Sequence, residues 1–153
     1  MPDPIAKPLG YLLKRAQHAL RTRLDEALNQ LALTTPQYAV LSAVELQPGI
    51  SSAALARAAF VTAQTMQGIV VNLERAGLLR RKADPDHGRI QRGELTARGR
   101  AVLRKAHVVA TKVEARMTGD LNKREIEFLA AMLTRCADHL ARAPEDGSSG
   151  LMV

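Results

Sequence analysis

The chain has 153 residues, 46% of them apolar, which excludes a disordered protein and suits one domain or two small interlocked ones around a real core. Two Phe, two Tyr and no Trp leave that core to Ala, Leu and Val, and no apolar run approaches the roughly 18 residues that span a bilayer. The net charge of +7 is uneven: residues 51–100 hold nine basic and four acidic side chains, so an acidic partner, a polyanion above all, is expected there.

Met1 to Lys7 contains two prolines and reads as a loose arm without a signal-peptide pattern. From Pro8, the residues Leu9, Leu13, Ala16, Leu20, Leu24, Ala27 and Leu31 recur every three or four positions, which predicts a long amphipathic helix. Lys14, Arg15, His18, Arg21 and Arg23 lie between the stripes. Thr35-Pro36 opens a second helix, with Thr35 as its cap, carrying Tyr38, Val40, Leu41, Val44 and Leu46 inward. Pro48-Gly49 stops it, and Ile50 suits a very short strand. Ser51 caps a third helix, Ser52 to Ala59, although Ala54 stands where a capping-box glutamate belongs.

After a turn at Phe60-Val61 comes the segment on which the chain is centred, VTAQTMQGIVVNLERAGLL, residues 61–79. Thr62 is a good N-cap, and Met66, Ile69, Val70, Leu73 and Ala76 form one apolar face. Gln64, Gly68, Val71 and Arg75 lie opposite, flanked by Thr65, Gln67 and Asn72. An ordinary surface helix carries Glu–Lys pairs there. This one offers amides, which can pair with adenine edges, and a methyl group that can meet thymine. Gly68 costs about 1 kcal/mol against Ala in a helix interior, so close approach to another backbone, protein or DNA, would favour it. A plain amphipathic helix with a packing glycine is the alternative for this segment alone.

Leu79 to Lys82 and Arg89 to Leu95 read as two strands joined by the turn-rich string ADPDHGR. Small helix, turn, second helix and basic hairpin make a winged helix-turn-helix, with Arg80, Arg81, Lys82, Arg89 and Arg92 on the wing. A charged hairpin alone is usually a solvated edge; beside a polar-faced helix it points to nucleic acid. Thr96 caps a fifth helix to about Met117, with Val102, Ala106, Val109 and Val113 on one face. Asn122 caps a sixth, in which Ile126, Leu129, Leu133, Cys136 and Leu140 form a coiled-coil-like stripe. Residues 143–153 read as a disordered tail.

No phosphate loop, His-Glu-x-x-His or nucleophile elbow is present, so no enzyme, cofactor or metal is expected. His18, His87, His107 and His139 do not share metal-ligand spacing. The single cysteine fits a reducing cytoplasm, and on an apolar helical step Cys136 reads as a small buried hydrophobe rather than a redox sensor.

Together the strings LTTPQYAVLSAV, PGISSAALARAAFVTAQTM, NLERAGLLRRKADPDHGRI and LTARGR resemble the MarR family of bacterial transcriptional regulators, over roughly Pro8 to Leu140. The resemblance implies a mainly α fold with a β-hairpin wing. It also implies a helical dimerisation region at 8–34 and 97–142, and a DNA-binding domain at 35–96. Such proteins are homodimers whose first, fifth and sixth helices interlock. Double-stranded DNA is then the partner, with residues 61–78 in the major groove and Arg89 at the minor groove, and the protein is a cytoplasmic repressor held on the nucleoid by its operator. A winged-helix protein-interaction module that never touches DNA is the alternative.

Three departures from the pattern stand out. His87 stands where an aspartate often pairs with the wing-tip arginine, leaving Asp84 or Asp86 to hold Arg89. Gly93 and Glu94 predict a weak or bulged return strand. Gly68 removes one side chain that relatives often present to a base. Many family members also bind small aromatic anions between the dimer helices and the DNA-binding lobe. By that resemblance Arg15, His18 and Tyr38 are the candidate effector residues, with a core role for Tyr38 as the alternative.

Overall fold

The computed structural model describes residues 7–83 and 91–142, which form six helices and one hairpin. In order these are α1 (Leu9–Asn29), α2 (Thr35–Leu46), α3 (Ser52–Ala58), α4 (Ala63–Arg75), β1 (Leu79–Ala83), β2 (Gln91–Leu95), α5 (Ala97–Met117) and α6 (Lys123–Ala141). The described chain divides after Met117 into two units. The first holds the helix-turn-helix, the hairpin, α1 and α5; the second holds α6.

The core of the first unit gathers one to three residues from every element. Leu28 of α1, Val40, Leu41 and Val44 of α2, Leu55 and Ala56 of α3, and Met66, Val70 and Leu73 of α4 are buried together with Leu103 and Ala106 of α5. Leu78, Leu79 and Leu95 close it from the base of the hairpin. Burial of such aliphatic side chains at about 25 cal/mol per Å2 is the main favourable term of folding.

Several helix ends follow local chemistry. Ser51 and Thr62 accept from the N–H groups of Ala54 and Thr65. Asn122 forms a full capping box with Glu125. The cap of α2 is Thr34, one residue earlier than expected, because Gln37 sits three positions on and closes a capping box with it. Thr35 is thereby free to bind α1 instead. Its N–H (3.2 Å) and its hydroxyl both donate to the Asp25 carboxylate of that helix.

Other expectations are corrected by packing. Ile50 joins no strand and is instead buried in the core. Leu46, expected inward, is 84% exposed at the end of α2. On α1 the fully buried residue is Leu28, one step off the anticipated stripe, while Leu9 and Leu13 are exposed. Leu103 plays the same part on α5. The hairpin runs in unbroken antiparallel register from Leu79↔Leu95 to Ala83↔Gln91, so no bulge forms at Gly93 or Glu94. Glu94 faces Arg80 across the strands and pairs with it at 3.3 Å, which stabilises an arm built from poor strand formers.

In the second unit no residue of α6 is buried, and Cys136, expected inside, is exposed. A single amphipathic helix has nothing within its own unit to cover its stripe. The wing tip, the N-terminal arm and the tail lie outside the described residues.

Thr96 joins the end of α4 to α5. Its hydroxyl donates to the Gly77 carbonyl at 2.6 Å and accepts from Gly99 N–H at 2.9 Å, while its own N–H donates to Leu78 O at 3.2 Å. Gly99 is buried, and a Cβ there would stand 2.0 Å from the Leu78 carbonyl oxygen. Gly99→Ala is therefore expected to cost about 3 kcal/mol or more, read as a fall in urea midpoint, because a backbone atom must move.

Hydrogen bonding from Thr35, followed by the nearby Arg21 guanidinium, holds the Asp25 carboxyl below its ordinary range. A carboxylate beside the first turn of α2 also complements that helix's dipole. The lowered folded-state value means the contribution is present above the unfolded aspartate range and is lost as pH falls through the folded one. Asp25→Asn should destabilise by about 1 kcal/mol at neutral pH. Melting curves of variant and wild type should begin to approach each other as pH falls below about 4 and meet only below the lowered folded-state value.

Candidate nucleic-acid interface

Helix α4 buries Met66, Val70 and Leu73 and turns its other side outward. Gln64, Thr65, Gln67, Asn72 and Arg75 are all exposed, so five of the sequence-predicted contacts share one open face. Val71 is half-buried beside Gln67, Glu74, Leu79, Arg80 and Arg81, and is less available than expected. Ala76, placed on the apolar face by periodicity, is exposed. A Cβ at Gly68 would meet nothing within 4 Å, so no neighbour among the described residues requires glycine there.

Two bonds seat this helix. Gly77, at φ +71°, takes the left-handed turn that lets Gly77 N–H reach Glu74 O and Leu78 N–H reach Leu73 O, both at 3.0 Å. The Glu74 carboxylate then holds Arg81 of β1 at 2.6 Å, with both side chains about 30% exposed or less. Helix and wing are thus tied directly, a link that charge counting missed. The signal was available: Glu74 is the one acid in residues 61–83, which carry Arg75, Arg80, Arg81 and Lys82.

The wing's positive charge is partly neutralised from within. Arg80 pairs with Glu94 and Arg81 with Glu74, while Lys82 is exposed and enters no ion pair among the described residues. The hydrogen bond from Arg80 and then its charge hold the exposed Glu94 carboxyl below its ordinary range, with a smaller contribution from Lys82. Arg89 lies outside the described residues. Arg92 pairs with Lys82 in the backbone register, but its side chain is outside the described set.

The three candidate effector residues are not brought into one cavity. Arg15 and His18 are exposed on α1. Tyr38 is half-buried at the seam of α2 and α5, where its hydroxyl lies 2.9 Å from His107 Nδ1 and the two rings meet edge-on. The other ring nitrogen of His107 is 2.8 Å from Glu45 Oε2. Burial pushes the Tyr38 phenol above its ordinary value, and the charges of Glu114 and Glu45 add to that.

A separate groove of about 700 Å3 runs between α1 and α5. It is lined by apolar residues such as Leu20, Val109 and Val113 and by Arg23, Lys112 and Arg116, of which Arg23 is paired with Glu26, also in the lining, at 3.0 Å. Periodicity alone could not have selected these cations, because their positions become neighbours only when α1 packs on α5. Among the described residues no cluster of three metal-ligating side chains occurs, and no helix is long and apolar enough to cross a membrane.

The chain's likeness to known proteins agrees with this geometry. A sequence profile of the MarR family matches residues 33–90. The HTH-type transcriptional repressor Rv2887 of Mycobacterium tuberculosis is 40% identical over 128 residues, 84% of this chain and 92% of the repressor. Crystal structures of that protein superpose on this one. The complex with salicylic acid gives a TM-score of 0.71 at 39% identity, covering 86% of this chain and 98% of the other. The complex with DNA gives 0.69 at 37% identity, covering 86% and 98%. With a winged helix-turn-helix of six helices and one hairpin, and a relative of this similarity matched over nearly its whole length, the chain belongs to the MarR family.

Proposed function

We propose that the protein is a homodimeric DNA-binding repressor that recognises a pseudo-palindromic operator and is released by a small aromatic anion. The observation that carries the DNA reading is the exposed face of α4. Five polar or cationic side chains are held open there, beside a wing strand carrying exposed Lys82. Amides and hydroxyls in that position suit base edges, and lysine suits phosphate. Arg89 and Arg92 are assigned to the DNA backbone or minor groove by their place in the wing. The MarR relative Rv2887, seen in complex with DNA, supports DNA as the partner.

Dimerisation follows from uncovered apolar surface. Leu9, Leu12 and Leu13 on α1 and Ile126, Leu129 and Leu133 on α6 are exposed, a pattern unusual for a monomer. A two-fold dimer would present two α4 helices to half-sites one DNA turn apart, roughly 34–36 Å.

Light scattering should give twice the 16.6 kDa chain mass. Electrophoretic shifts on a duplex selected by the protein should weaken with salt, with a slope near −0.9 per phosphate neutralised. Gln64→Ala or Gln67→Ala is expected to cost about 1–3 kcal/mol on that duplex and little on random DNA. Lys82→Ala should weaken both alike and flatten the salt slope. Uniform loss in the glutamine variants would refute base reading by α4, and salt-independent or absent binding would favour a protein-interaction module.

For the effector, an aromatic acid is assigned to the neighbourhood of Tyr38, with Arg15 and His18 as candidate partners from α1. The structure of Rv2887 with salicylic acid supports that ligand class. The groove between α1 and α5 is a second site, favoured by its apolar lining beside Lys112 and Arg116, with Arg23 engaged by Glu26. Calorimetric titration of salicylate into Tyr38→Ala and into Lys112→Ala/Arg116→Ala separates the two. The pair of cations should contribute about tenfold or more in affinity if the groove is the site. Salicylate that binds neither variant differently, or leaves DNA affinity unchanged, would remove the effector assignment and leave DNA binding standing.

A further inference from the structure

Phe60 combines two unfavourable features that the fold does not explain. It is 96% exposed, and its backbone lies at φ +54°, in the left-handed region where a bulky side chain is strained. Most other exposed large apolar side chains lie on α1, α5 and α6, in helical stripes that a partner helix can cover. Phe60 stands on the short turn between α3 and α4, three residues before the recognition helix begins.

The local hydrogen bonds show why the backbone takes this form. Phe60 N–H donates to Arg57 O at 3.2 Å, and Val61 N–H to Ala56 O at 3.0 Å. This is the left-handed closure of a helix C-terminus that usually carries glycine. The end of α4 uses the same pair of bonds with Gly77 in that place. The turn therefore needs the conformation and not the ring. Ala32 shows that the chain accepts a methyl group at such a position, with φ +55°. A benzyl group held in solvent is a different matter, since it gains nothing from burial within the chain.

Its surroundings indicate what it meets. Thr62, Gln64 and Thr65 are exposed immediately after it. Resting on the assignment of α4 to the major groove, we propose that Phe60 is a specificity-determining residue that packs its ring on a thymine methyl beside the bases read by α4. The thymine 5-methyl is the apolar group of the major groove, and aromatic contact with it distinguishes thymine from every other base. Strain retained next to a recognition surface fits a side chain held in position for a partner.

The test uses the full chain, a duplex selected from a random pool by the wild-type protein, and copies in which single thymines are replaced by deoxyuridine, which removes only the methyl. Phe60→Gly and Phe60→Asn both tolerate the left-handed backbone. Each should keep or raise Tm, by up to about 4 °C, while weakening operator binding about tenfold, the scale of one lost base contact. Wild type should lose affinity on one deoxyuridine duplex in each half-site, and the variants should be indifferent to that replacement. Unchanged affinity in both variants overturns the proposal, as does a loss that keeps the wild-type response to deoxyuridine. A fall in Tm together with affinity would show a structural role and overturn it as well. Wild-type protein that selects no duplex would instead defeat the DNA reading on which this one rests.

Discussion

The molecule turns on a close contact between two pieces of backbone. Leu78 leaves α4 and enters the wing, and the first turn of α5 passes so near its carbonyl that only glycine fits at position 99. Thr96 holds the approach from the other side, bridging Gly77 and Gly99 with one hydroxyl. Arg100 adds a bond to the Leu95 carbonyl at 3.0 Å, tying the end of β2 to the same point. The end of α4, both wing strands and α5 therefore meet at one junction. A displacement of α5 along its axis must be felt by helix and wing together, because packed backbone cannot yield by a side-chain rotation.

Electrostatics then sets what the surface has to offer. Two of the wing's arginines are paired within the chain, one across the hairpin and one to α4. These pairs are partly exposed, so their value is in aiming the wing more than in stability. The exposed polar face of α4, with Arg75 and Lys82, is left for a partner. A net charge of +7 overstates the free charge on the wing, and the arrangement of the pairs is more informative than their number.

Two seams connect this DNA-binding lobe to the long helices. One is the Asp25 carboxylate against Thr35 at the start of α2; the other is the chain Tyr38–His107–Glu45 between α2 and α5. Both are polar and partly open to solvent, whereas the surrounding core is aliphatic. Polar contacts of this kind depend on geometry, so a small shift between helices breaks them before it opens the core. A ligand acting on either seam, or on the groove between α1 and α5, would have a short physical route to α4.

The chain alone determined the elements whose signals are local. Caps at Ser51, Thr62, Thr96 and Asn122, the glycine stop at Gly77 and the apolar periodicity of α4 depend on neighbours within a turn or two. For the same reason the polar face of α4 was legible, with its glutamines and threonine, and so was the hairpin after it. What only the tertiary structure decided involves residues far apart in sequence. Periodicity marks a helical face but cannot say how far along it the core extends, so Leu28 and Leu103 were missed while Leu46 was misplaced. The return strand looked weak because Gly93 and Glu94 are poor strand formers, yet Arg81 and Arg80 supply the cross-strand partners. Cys136 lies on an apolar step, and burial is a property of what covers a helix rather than of the helix itself. His107, Glu45, Lys112 and Arg116 were invisible because α5 had to pack before its side chains had neighbours on α1 and α2. Local backbone chemistry can be read from spacing; a contact between distant segments exists only once the core has fixed the distance between them.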